Sequence, residues 1–147
     1  MMKRVVMALA IPMLVAGMAF AADVKLDGIN CLVAGSKAAK AECSSEYKGG
    51  KVFFCCGNCK KGFDGDSAKF STKANHQLAA TGQAKQTKCP LSGAPCKADK
   101  VVTVGGVKVA FCCENCQGKA ADTKGDAQVE LVFSDKAFEK GGFKVGK

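Results

Sequence analysis

The chain has no tryptophan, one tyrosine (Tyr47), one histidine (His76) and a single arginine, Arg4. Each shortage removes a class of function. Readers of nucleic acid grip phosphate and guanine with arginine forks and stack bases on aromatic rings, so no nucleic-acid partner is expected where every basic residue beyond Arg4 is lysine. There is no nucleophile with a histidine base, no acid/base pair, no phosphate-cradling glycine loop and no dinucleotide fingerprint, which leaves little for an enzyme to work with. With nine phenylalanines as its main large apolar residues, the chain also looks poorly supplied for one ordinary core, and something besides burial is expected to help stabilise it.

What is present begins with an export signal. Lys3 and Arg4 precede an apolar run from Val5 to Phe20, and Ala19-Phe20-Ala21 places small residues at the cleavage positions, the pattern of a secretory signal peptide over residues 1–21. A retained anchor is the alternative, but it needs about 20 apolar residues to cross a bilayer, and this run is shorter and contains Pro12. The expected product is periplasmic or secreted and does not associate with membrane after cleavage. The excess of 22 basic over 13 acidic residues is diffuse. It suits solubility, lowers the pKa of nearby thiols and offsets the negative charge of metal thiolates.

Ten cysteines dominate the rest: Cys31, Cys43, Cys55, Cys56, Cys59, Cys89, Cys96, Cys112, Cys113 and Cys116. An even count in an exported chain first suggests disulfides, but the chain repeats itself. Cys31-Leu-Val-Ala-Gly and Gly50-Lys-Val-Phe-Phe-Cys-Cys-Gly-Asn-Cys59 return as Cys89-Pro-Leu-Ser-Gly and Gly106-Val-Lys-Val-Ala-Phe-Cys-Cys-Glu-Asn-Cys116. Each copy holds a leading cysteine, a gap of 23 or 22 residues, and a Cys-Cys-x-x-Cys cluster. Five cysteines per copy cannot all pair within it, and neighbours such as Cys55 and Cys56 bridge only with strain. Cys43 and Cys96 do not align between the copies, so they are assigned as bridged to each other, free, or extra ligands, and the other eight as metal ligands.

The case for metal is geometric. A strand feeding a tight turn can aim thiolates two or three residues apart at one ion, and a distant leading cysteine closes the loop, the division of labour common in structural zinc sites. A repeat of about 30 residues is too small to be stabilised by burial alone, whereas a thiolate zinc site in a small peptide supplies on the order of 10 kcal/mol.

The expected fold is small α+β: two tandem modules, each a β-hairpin plus a helix stabilised by about one ion, joined by a helical connector. The boundaries are 22–66 for the first module, 67–87 for the connector, 88–121 for the second module, and 122–147 for a strand and helix completing it. Gly49-Gly50 and Gly105-Gly106 read as hairpin turns entering apolar strands, with Val101–Val104 as a partner strand. Its counterpart, Ala38–Glu42, carries helix formers. A helix follows each cluster, with Phe63 and Phe70 packing back in the first copy. Asp66 or Ser67 can cap a helix running to Ala80 and ended by Gly82, and 82–88 reads as polar linker. Ala127–Phe133 alternates like a strand, and Ser134 can cap a short helix through Lys140.

With Phe ahead of each Cys-x3-Cys and the leading cysteine at the stated distance, the sequence resembles the TRASH and YHS-like heavy-metal-binding cysteine modules, relatives of the treble clef. The resemblance covers Cys31 to about Phe63 and Cys89 to about Ala120. It implies a β-hairpin packed on a helix and the sensing, trafficking or sequestration of copper, zinc or similar ions, with a metal-delivering or metal-receiving protein as a partner. The implied ligands are Cys31, Cys55 and Cys59, and Cys89, Cys112 and Cys116. Four-cysteine relatives carry another cysteine three residues after the leading one, where this chain has Ala34 and Ser92; instead it has Cys56 and Cys113 directly after the second ligand. Either a rearranged four-thiolate Zn(II) site or a three-thiolate Cu(I) site follows, since soft sulfur suits both ions, and the repetition of the departure in both copies favours copper.

Blander readings stand beside these. His76 is either an additional ligand or a packing residue on the connector helix, and the lack of a second histidine favours packing. Asn58 and Asn115 suit a left-handed turn better than a metal. Cys56-Gly-Asn-Cys59 and Cys113-Glu-Asn-Cys116 satisfy the Cys-x-x-Cys of thiol-disulfide oxidoreductases, but that activity wants the motif opening a helix in a βαβ setting. An exported protein stapled by disulfides is the remaining alternative.

Overall fold

Two left-handed dipeptides set the architecture. Lys48 and Gly49 have φ of 49° and 85°, and Gly105 and Gly106 have 54° and 83°. Positive φ at both central residues makes the two-residue hairpin turn whose twist matches that of its flanking strands. The computed structural model describes residues 24–146; the expected signal peptide, 1–21, lies outside the described residues.

Around the first turn β1 (Lys40–Tyr47) pairs antiparallel with β2 (Gly50–Phe54), and the chain enters α1 (Gly57–Gly65). Then α2 (Ser71–Ala80) and the short β3 (Ala84–Lys85) lead to the second hairpin, β4 (Lys97–Val104) with β5 (Val107–Phe111), followed by α3 (Glu114–Asp122). The two hairpin–helix units match in element length: each has strands of 8 and 5 residues and a helix of 9. Both hairpins bulge at the same place. The register shifts between Lys40 and Ser44 opposite Phe54 and Phe53, and between Lys97 and Val101 opposite Phe111 and Ala110. Cys43 sits in the first bulge, whereas Cys96 immediately precedes β4, which is why the two fail to align. The helix formers of 38–42 lead into strand all the same, because pairing with the apolar β2 overrides a weak local preference.

The chain ends in α4 (Gly125–Phe133), α5 (Asp135–Lys140) and β6 (Lys144–Val145). The strand expected over Ala127–Phe133 is overturned: the segment is helical and buries Gln128, Val132 and Phe133. The spacing of four between Gln128 and Val132 belongs to one helix face, and Val-Glu-Leu-Val is too short an alternation to outvote it. The helix through Lys140 is present, with Ser134 at its start. The polar linker contains β3, which pairs with β6 and ties the middle of the chain to its end.

One apolar cluster runs through both hairpins, α2, α4 and α5, centred on Phe54, Phe63, Leu78, Phe111, Phe133 and Phe138. Few large side chains are available, but nearly all of them are spent inside, and each buried Phe or Val contributes roughly 1.5–3 kcal/mol. Phe63 packs on Phe54 at 5.3 Å and on Phe70 at 6.4 Å between ring centroids, as expected. Helix α2 lies against β2, β5, α4 and α5 and buries Ala74, Asn75, Gln77 and Leu78.

A two-stranded hairpin leaves an open edge of backbone N–H and C=O groups, and here glutamines fill it. Gln77 accepts from Phe53 N–H (2.6 Å) and donates to Phe53 C=O (3.0 Å) and Asn30 C=O (3.1 Å). Gln83 makes the same fork on Lys51 (2.8 and 2.7 Å). Gln86 makes it on Ala110 (2.9 and 2.6 Å). Each amide acts as one rung of a missing strand.

His76 is a packing residue. Its Nε2–H donates to Gly105 C=O at 2.9 Å and its ring meets Phe133 edge-on. Gly105 leaves it room, since a Cβ there would collide with Nε2. Asn58 and Asn115 lie in the first turns of α1 and α3, and Lys48 is the only non-glycine with positive φ among the described residues. The left-handed asparagine expectation is therefore wrong.

Replacing Gln77 with alanine strands two buried backbone groups of Phe53 and should cost about 2–4 kcal/mol, read as a lower urea midpoint; a loss below about 0.5 kcal/mol would contradict the fork's role. Burial holds the pKa of His76 below its ordinary value, so its neutral form is the folded one. That contribution is complete above the unfolded pKa of about 6.5 and is lost as pH falls below it, because the unfolded chain then binds the extra proton. His76→Gln should flatten this acid-side slope in denaturation curves; an unchanged slope would count against it.

Candidate metal centres

Each centre is assembled from three pieces that the sequence places locally. Cys55 and Cys112 follow the last residues of β2 and β5, so their positions are set by the hairpins. Cys59 and Cys116 lie four residues on, about one turn along the helical path. The leading cysteines open two matching loops: Cys31 N–H donates to Lys37 C=O (2.8 Å) and Gly35 N–H to Cys31 C=O (2.8 Å), while Cys89 N–H donates to Ala94 C=O (2.8 Å) and Gly93 N–H to Cys89 C=O (2.7 Å). Gly35 and Gly93 turn these loops with φ of 71° and 77°.

The result is two sulfur triads, Cys31–Cys55–Cys59 and Cys89–Cys112–Cys116, each with its three Sγ atoms within 4.8 Å of one another. A tetrahedral ion bonded to sulfur at about 2.3 Å holds its ligands about 3.8 Å apart, and a trigonal one about 4.0 Å. Cys55 and Cys59 are 3.7 Å apart and Cys112 and Cys116 3.8 Å. Each triad can hold one metal ion. These are the six residues that the family resemblance implied.

The other four cysteines separate into two kinds. Cys56 and Cys113 stand at the N-caps of α1 and α3, 3.8 Å from Cys55 Sγ and 3.6 Å from Cys112 Sγ, yet outside the mutually close sets. Cys56 is exposed and Cys113 half-buried. Each Cys-x-x-Cys therefore does open a helix, although the setting is hairpin–helix and not βαβ. Cys43 and Cys96 join neither triad. Cys96 Sγ lies 3.5 Å from both Gln86 Nε2 and Ala110 C=O, and all ten cysteines are free thiols.

The centres differ at the position three residues after the leading cysteine. Ala34 offers only its N–H, 3.4 Å from Cys31 Sγ. Ser92 brings a hydroxyl to 3.1 Å from Cys112 Sγ. The sequence flagged these positions for lacking cysteine but did not mark the serine as a neighbour of the sulfurs. It also gave no sign of the glutamine forks that hold β2 and β5 where they deliver Cys55 and Cys112, because a glutamine on a helix or linker reads as solvated.

The thiols of the two centres differ in how readily they ionise. Burial opposes ionisation of Cys31, but the amides of Ala34, Cys55 and Val33 outweigh it and bring its pKa below the ordinary value. For Cys89 burial is likewise outweighed, by the Ser92 hydroxyl and nearby amides, and the pKa falls to about 7. Burial and the neighbouring thiols push Cys59 and Cys116 up to about 12. The outer thiols go the other way: the Cys59 amide and adjacent sulfurs lower Cys56 to about 7, and the Cys116 amide with its neighbours lowers Cys113.

The chain matches no family model, no curated protein and no solved structure.

In reduced, metal-free protein near neutral pH, the thiolate is the reacting species. Pulsed alkylation followed by peptide mass spectrometry should therefore label Cys56 before Cys59 and Cys113 before Cys116; the reverse order would contradict the arrangement.

Proposed function

We propose that this protein binds soft metal ions, one in each sulfur triad, and that it sequesters or carries them in an exported compartment. The observation behind this reading is the convergence of three sulfurs twice over, at metal-ligand spacing, from two hairpin–helix units of identical element lengths. The hairpin that runs through Cys-Cys into a helix supports the resemblance to treble-clef TRASH and YHS-like modules in tandem. The apolar, basic-led residues 1–21 support export.

Cu(I) is the favoured ion. It accepts three thiolates in a plane, whereas Zn(II) in a structural site takes four ligands, and at the first centre the neighbouring position is Ala34, without a side-chain donor. Zn(II) completed by Cys56 or Cys113 after a turn adjustment is the competing occupant. A protein that delivers or receives the ion is the expected partner.

A second reading, thiol-disulfide exchange, draws on one observation: Cys56, lowered to about 7, caps the helix that holds Cys59. Insulin reduction separates the two, since turnover that persists with chelator in metal-free protein favours the redox enzyme.

Anaerobically reduced protein is expected to take up about two equivalents of Cu(I) or Zn(II), measured by competition with a chromophoric chelator. Cys59→Ser or Cys116→Ser should each remove about one equivalent, and uptake near zero in the unaltered chain would overturn the proposal.

A further inference from the structure

Both centres repeat an arrangement that ion-holding alone does not require. A triad whose leading cysteine is buried has a fourth thiol beside it, at the mouth of the helix, next to the triad sulfurs of its own cluster but not gathered with the leading one. At the second centre this thiol lines an open surface depression of about 330 Å³, together with Lys97, Lys100, Glu114 and Asn115. Lys100 is engaged by Asp99 (3.2 Å) and Glu114 (3.1 Å). Lys97 is exposed and makes no ion pair among the described residues.

Cys89 is buried and Cys112, Cys113 and Cys116 are equally half-buried, but of the four thiols it is Cys113 that lines the depression. An ion arriving on a carrier seated there meets Cys113 first, and from there needs to move only across a 3.6 Å sulfur–sulfur contact to reach Cys112. Cu(I) moves between thiolates by exchanging one ligand at a time without changing oxidation state. The Cys113–copper bond forms as a carrier–copper bond breaks, and the proton of Cys113 leaves with the departing carrier thiolate. The free lysine in the same depression adds a preference for negative charge, reinforced by the excess of lysine over the whole chain.

We propose that Cys113, and by the same arrangement Cys56, is the thiol through which an ion passes into and out of the triad, and that the second centre takes it from a small anionic thiol seated against Lys97. This inference rests on the metal-binding reading above. It adds which cysteines exchange the ion and what chemistry the carrier has.

The test is stopped-flow transfer of Cu(I) to the reduced full chain in the Cys59→Ser background, the variant expected to remove the first centre's equivalent and leave the second to load. Glutathione serves as the anionic carrier and 2-mercaptoethanol as the neutral one. Lys97→Glu should slow delivery from glutathione roughly tenfold and leave delivery from 2-mercaptoethanol unchanged. Cys113→Ser should slow both carriers while the amount of Cu(I) finally bound stays the same. The exchange role is overturned if Cys113→Ser lowers the amount bound, which would make Cys113 a resident ligand, or if it leaves both rates untouched. The carrier assignment is overturned if Lys97→Glu affects both carriers alike or neither. Because Lys97 is exposed and unpaired, its substitution reads out on a folded chain even if the cysteine variant is unstable. Failure of the unaltered chain to bind Cu(I) would sink this inference and the proposed function together, whereas normal capacity with unchanged rates would sink this one alone.

Discussion

Three sulfur atoms brought within 4.8 Å of one another are the constraint on which each half of this protein is organised. Thiols packed this closely are a poor end in themselves: burial first, and then the neighbouring thiols, push pKa values up at Cys59 and Cys116, and a cation placed among them reverses that penalty. The surrounding structure serves the convergence. A left-handed two-residue turn fixes each hairpin, the hairpin's second strand ends at Cys55 or Cys112, the following helix carries the next ligand, and a glycine-turned loop brings in the leading cysteine.

The two halves share a core. Helix α2, which separates them in sequence, lies between them in space, and its buried face joins Phe54 of one hairpin to Phe111 of the other through a common cluster. Gln77 and Gln86 close the open edges of β2 and β5, the strands that position Cys55 and Cys112. The site geometry therefore rests on polar contacts in which both members are satisfied, the condition under which buried hydrogen bonds stabilise. Ions bound in the triads would add to this core and not replace it.

The hairpins and triads were legible because their signals are local and doubled: a glycine turn, an apolar strand and Cys-x3-Cys mean the same thing twice at a matching distance. The helix over Gly125–Phe133 was not, since seven residues that alternate also satisfy a helical face, and only packing against α2 and α3 decides. The strand character of β1 was obscured by helix formers that pairing overrides. The glutamine forks and the Ser92 hydroxyl were invisible for a different reason. Their meaning depends on partners 20 to 32 residues away, and polar side chains carry no periodic pattern that points to a distant backbone group. Cys56 and Cys113 were visible as cysteines, but their place outside the close sets is a matter of side-chain direction at a helix start, which spacing cannot resolve.

X-ray absorption at the metal edge of the fully loaded, reduced protein tests the central claim most directly. The expected result is a first shell of sulfur alone at roughly 2.2–2.3 Å, with sulfur supplied by both triads. A shell dominated by nitrogen or oxygen would contradict it.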